Sequence, residues 1–201
     1  MSQNRPEVNL PQTSLAAPRP ALQQRVIDAI LEAAARVIAA SGESASMADV
    51  AASAGVARAT LYRYFPNRQA VLDDLAALAV ADAEARLVAA RLEEVNTDEG
   101  VTRAVRALVE VGDAFIVLAR DRVQLSAAEF ERGVGQPLRR LIERAQSTGD
   151  LRDDVPATWL TDVLVSLVVS VLRSKPGTGR EDTIARITTL FLDGARRRPT
   201  G

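Results

Sequence analysis

The chain has 201 residues, 47% of them hydrophobic, with a formal net charge of −1, so it is long enough to bury a core and too apolar to be disordered. It contains no cysteine and no histidine, which excludes disulfides, thiol chemistry, serine–histidine triads and the usual zinc sites. No apolar run approaches the roughly 20 residues of a membrane span and the first residues lack a secretory apolar core, so a cytoplasmic protein without membrane partner, metal or other cofactor is expected.

Residues 1–20 carry Pro6, Pro11, Pro18 and Pro20 without periodicity and read as a flexible tail. From Leu22 the pattern turns helical. Leu22, Val26, Ile30, Ala33 and Val37 share one face, Arg25, Asp28, Glu32 and Arg36 the other, and the helix closes near Ser41-Gly42. Ser46 with Asp49 three places on resembles a capping box that opens a second helix. Gly55 allows the positive φ of a tight turn, Val56 plugs the core behind it, and a third helix runs from about Ala57 to Tyr64, stopped by Pro66.

The remainder also reads as helix. Asn67 caps a segment to about Val95, and Thr97 one to about Arg120. Asp121–Arg132 and Pro137–Gln146 form two more, separated by Gly133-Val134-Gly135. Pro156 starts a helix to about Arg173, and the last runs from Glu181 to about Arg197. Few runs alternate β-branched and polar residues, so the expected fold is all-α with no sheet.

Charge is distributed most informatively around the third helix. Between Asp49 and Asp73 the only charged residues are Arg58, Arg63 and Arg68. A basic, acid-free stretch on a helix-turn-helix pattern in a chain of net charge −1 is a nucleic-acid signature. Every basic residue but Lys175 is arginine, a bias that matches GC-rich coding, so position rather than residue type carries the argument. Arg58, Ala59 and Thr60 lie at the start of the third helix, where base edges are read: Arg58 suits guanine, Ala59 and the Thr60 methyl a thymine methyl. Tyr62, Tyr64 and Arg68 suit phosphates, as do the backbone N–H groups at Ser46 and Met47. Arg63 is either a further DNA contact or a solvated residue. Leu61 and Phe65 share a face with Val50 and Val56 and read as core.

This string resembles the TetR family of bacterial transcriptional regulators. The matching residues are Met47-Ala48-Asp49-Val50-Ala51, Ala54-Gly55-Val56 and Ala57 through Phe65, followed by Asn67-Arg68, where lysine is commoner than arginine. The resemblance implies a three-helix DNA-binding domain at 21–66 and a helical ligand-binding and dimerisation domain at 67–198. It further implies a repressor, not an enzyme, released from a palindromic operator on double-stranded DNA when a small-molecule effector moves the fourth helix.

For the second domain two sets of candidates follow. Val163 to Leu172 holds no charge, so its helix is buried on more than one side. Leu164, Leu167, Val168 and Val171, with Ile184, Ile187 and Phe191 of the last helix, are candidates for a homodimer interface; ordinary protomer core is the alternative. Phe115, Phe130 and Trp159, with Asp113, are candidates for lining an effector pocket, again with core packing or a solvent face as the alternative. An interaction module that keeps the helix-turn-helix without reading DNA is the competing function. An enzyme resting on carboxylates such as Glu129 or Asp113 is the third, and Lys175-Pro176-Gly177 lacks the order of a phosphate loop.

Overall fold

The computed structural model describes residues 21–112, 127–174 and 177–197, and among these no β-strand occurs beyond a single antiparallel bridge between Leu151 and Arg196. The helices are α1 (Ala21–Ser41), α2 (Met47–Ser53), α3 (Arg58–Tyr64), α4 (Arg68–Ala89), α5 (Thr97–Val111), α6 (Ala127–Phe130), α7 (Gln136–Ser147), α8 (Ala157–Ser174) and α9 (Arg180–Ala195). The tail, Asp113, Phe115 and Lys175 lie outside the described residues.

Two apolar cores organise these helices. The first joins α1, α2, α3 and the start of α4 through Ile30, Ile38, Val50, Leu61, Phe65, Val71 and Leu75. The second joins the rest of α4 to α5, α7, α8 and α9 through residues such as Leu87, Leu108, Leu138, Ile142, Leu164 and Ile187. The N-terminal core thus extends past Pro66 into α4. One continuous helix contributes Leu75 to the first core and Ala76 to the second, so a rotation of α4 must disturb both.

Four elements differ from the sequence expectation. The α4 helix ends at Ala89, short of Val95, and the chain turns left-handed at Arg91. The α5 helix ends at Val111, because Gly112 adopts φ 67° and breaks the ladder. Gly133-Val134-Gly135 does not separate two helices. It forms a π turn, Glu131–Gly135, that connects α6 to α7, with the Gln136 N–H reaching back to the Glu131 carbonyl. That widened turn precedes Pro137, whose ring would clash with the carbonyl four residues back in a regular helix. Gly133 also brings the turn against α4, since a Cβ there would stand 3.2 Å from the Glu84 Cβ and 3.3 Å from Val80 Cγ1. Finally, α8 has the length and composition to cross a membrane, with a mean hydropathy of 1.4 over 18 residues. Its Leu160, Thr161, Leu164 and Val168 pack into the second core at helical spacing, and the opposite face is open.

Candidate nucleic-acid interface

The turn between α2 and α3 is built by local chemistry. The Ser46 hydroxyl accepts from the Asp49 N–H at 3.2 Å, and the Asp49 carboxylate accepts from the Ser46 N–H at 3.0 Å, completing a capping box. At the other end, the Gly55 N–H bonds the Ala52 carbonyl and the Val56 N–H the Ala51 carbonyl, the paired bonds of a Schellman cap. Gly55 sits at φ 67°, which a β-carbon would penalise.

That turn delivers α3 with one face sealed and one face free. Leu61 and Phe65 are buried, at 0% and 2% exposure, and anchor the helix to α1 and α2. Arg58, Ala59, Tyr62 and Arg63 are exposed, and Thr60 and Tyr64 are half-buried. Tyr62 is 50% exposed and so is not part of the core. The Arg63 guanidinium lies over the Tyr64 ring, 4.9 Å from its centre, and donates to the Tyr64 hydroxyl at 3.2 Å. This contact holds both side chains as one unit.

Around α3, the supporting residues are more constrained than their types suggest. The Ser46 N–H is occupied by Asp49 and is not free for a phosphate. Met47 packs its side chain on the N-terminal core, with its N–H at the first turn of α2. Hydrogen bonds from Ser46 hold the Asp49 carboxyl below its usual value, helped by the field of Arg58, so it stays ionised beside the reading helix. Arg68 is part-buried and points its guanidinium at the Gly42 carbonyl, 3.5 Å away, linking the start of α4 to the turn after α1.

In the C-terminal half, the structure separates the candidates. Ile184, Ile187, Phe191, Leu164 and Val168 are all at most 4% exposed inside one protomer, where they pack in its second core. Leu167 and Val171 are half-buried at the edge of the same core. The periodicity that marked these residues is that of a helix facing its own core, and sequence alone does not tell the two faces apart. Trp159 does not line an interior pocket: it is 57% exposed on α8. Phe130 packs half-buried against the second core. Trp159, Asp162, Ser166 and Ser170 of α8 are exposed, as are Leu190 and Gly194 of α9, with Leu190 at 62%.

Known proteins share this arrangement. The family model for bacterial regulatory proteins of the tetR family matches residues 30–75, which span the first core from Ile30 to Leu75. The HTH-type transcriptional repressor LfrR of Mycolicibacterium smegmatis is 27% identical over 177 residues, covering 86% of this chain and 91% of LfrR. The crystal structure of LfrR in complex with proflavine superposes with a TM-score of 0.72 at 26% identity, over 87% of this chain and 99% of that one. A tetR-family regulatory protein from Rhodococcus RHA1 shares the fold, with a TM-score of 0.70 at 21% identity over 84% and 96% of the two chains.

Proposed function

Since the chain belongs to the TetR family of bacterial transcriptional regulators, we propose that it acts as a homodimeric repressor that leaves a palindromic operator when a small molecule binds. The observation that carries this is α3: anchored by Leu61 and Phe65, it presents Arg58, Ala59, Tyr62 and Arg63 to solvent in a stretch free of acids. Arg58 and the short side chains of Ala59 and Thr60 read base edges. Tyr62, Arg68 and the Arg63–Tyr64 unit hold the backbone, with the Met47 N–H at the start of α2.

A dimer brings two such helices to half-sites one DNA turn apart. For its interface we assign the open face of α8 and α9, with Trp159 and Leu190 as apolar anchors. Ser166, Ser170 and Gly194 are the small positions that let helices approach, and a Cβ at Gly194 would meet nothing within 4 Å. The membrane-like composition of α8 has its explanation here, as a helix buried on one side by its own core and on the other by a second copy.

The small-molecule complex of LfrR supports an effector for this chain as well. The effector favours a dimer whose two heads no longer match the half-site spacing, and α4, shared by both cores, transmits the change. The decisive experiment captures genomic DNA fragments on the purified full-length protein and measures their binding at low and physiological salt. A recurrent palindromic motif is the expected result. Failure to bind any fragment of the surrounding promoter region at low salt would leave the interaction-module reading in its place.

A further inference from the structure

Away from α3, the surface holds a groove of about 650 Å³ between the end of α4, the turn after it and α7. That volume lies within the range of small-molecule sites. Its floor is apolar, made by Leu87, Val88, Pro137 and Leu141, and Val88 is 70% exposed although it sits on a helix of the second core. One wall carries Arg140 and Arg144, one turn apart on the same face of α7.

Neither guanidinium forms an ion pair with a described residue, although Glu93 and Glu94 line the same groove. Arg144 is fixed in place by the carbonyls of Leu92 and Val95, at 2.6 and 3.2 Å, which are neutral acceptors. Arg140 has no ion pair or hydrogen bond with any described residue. Like charges four residues apart on a helix repel. Of the acids at the groove, Glu94 is paired with Arg91 at 3.3 Å, and Glu93 stands at the exposed rim. Arg91 itself takes a left-handed conformation, φ 48°, which crowds a residue that carries a β-carbon. That conformation turns the chain sharply after α4 and presents the Leu92 and Val95 carbonyls to Arg144.

We propose that this groove is the effector site and that its ligand is an amphipathic organic anion, a carboxylate or sulfonate on an apolar body. The body covers Val88, Leu87 and Leu141, and the anion bridges Arg140 and Arg144, removing their repulsion. A planar cation such as the proflavine held by LfrR is a poor partner for this wall. Because the groove includes the last turn of α4, whose first turns belong to the DNA-reading core, a ligand there bears directly on the reading head. The assignment as an effector site rests on the repressor function proposed above; binding to the groove does not.

Isothermal titration of the full-length protein with decanoate, and separately with decyltrimethylammonium, tests this. Decanoate is expected to bind, more weakly as salt rises, and the cation not to compete with it. Arg140→Ala and Val88→Asp are expected to weaken decanoate by about tenfold each while leaving the far-ultraviolet dichroism and the ligand-free operator affinity unchanged. Decanoate is also expected to lower operator affinity in the wild type and not in Arg140→Ala. Equal decanoate binding by wild type and both variants, or displacement by the cation, overturns the site. A protein that binds decanoate in this pattern but no operator keeps the groove and loses its effector role, together with the repressor reading.

Discussion

In the function proposed above, base reading turns on Arg58. It opens α3, is exposed, and has no core role to lose. Arg58→Ala is therefore expected to cost about 1–3 kcal/mol on the operator while leaving non-specific binding nearly unchanged, measured by anisotropy on matched and scrambled fragments. Equal losses on both fragments would remove it from the base-reading set. Tyr62 and Arg68 behave differently from each other despite similar expected roles. Tyr62→Phe should weaken all sequences alike and leave the melting temperature alone, because the side chain is half in solvent. Arg68→Ala should weaken all sequences, flatten the salt dependence and also lower the melting temperature, because its guanidinium sits part-buried against the turn after α1. The exposure of Arg58 and Tyr62 and the burial of Leu61 and Phe65 were legible from spacing. What spacing left open was the partner of each side chain: that Arg63 lies on Tyr64, and that the Ser46 N–H is taken by Asp49.

At the level of elements, the helix ends carry local and readable signals. Ser46→Ala removes one half of the capping box of α2 and is expected to cost about 1 kcal/mol in denaturant unfolding. Leu61→Ala, by contrast, opens a cavity in the first core, where Leu61 is fully buried, and should cost about 2–5 kcal/mol. Both would reduce operator binding, but only through the folded fraction of the reading head. The Gly133–Gly135 segment shows where local signals mislead. Two glycines and a following proline read as a break between helices. In the folded chain Gly133 instead accommodates the approach of α4, Gly135 leaves room for the Glu131 carboxylate of its own turn, and the π turn accommodates Pro137. Packing between elements distant in sequence overrode propensity at this point, and no feature within the segment records that neighbour.

The whole molecule responds to acid through carboxylates tied into its frame. Asp150 is held below its usual value of 3.8 by the hydroxyls of Thr97 and Thr148, and Asp49 likewise by Ser46. Their folded values are depressed, so their contribution to stability is complete above the unfolded value and is lost as pH falls through the folded one. Melting temperature should thus be flat from neutrality down to the carboxylate range and fall below it. Asp150→Asn should lower the plateau and make the acid limb shallower, read by thermal melts across that range. Assembly is the second property of this scale. Leu190→Glu places a charge on the open face of α8 and α9 without touching the protomer core, and is expected to convert a dimer to a monomer in sedimentation, with loss of operator affinity. A dimer that persists in Leu190→Glu and in Trp159→Ala would move the interface elsewhere.

Local sequence determined the helices, the caps of α2, the turn at Gly55 and the exposed set on α3, because each of these depends on residues within one or two turns. Helical periodicity also determined which side chains are apolar stripes. It did not determine what covers a stripe: Ile184, Ile187 and Phe191 face their own protomer, while Trp159 and Leu190 face outward. Nor did it place Arg140 and Arg144 beside Val88, since that groove exists only where α4 and α7 meet. Tertiary structure decided these matters because burial is a property of pairs of surfaces, and the second surface lies far along the chain or in another copy of it.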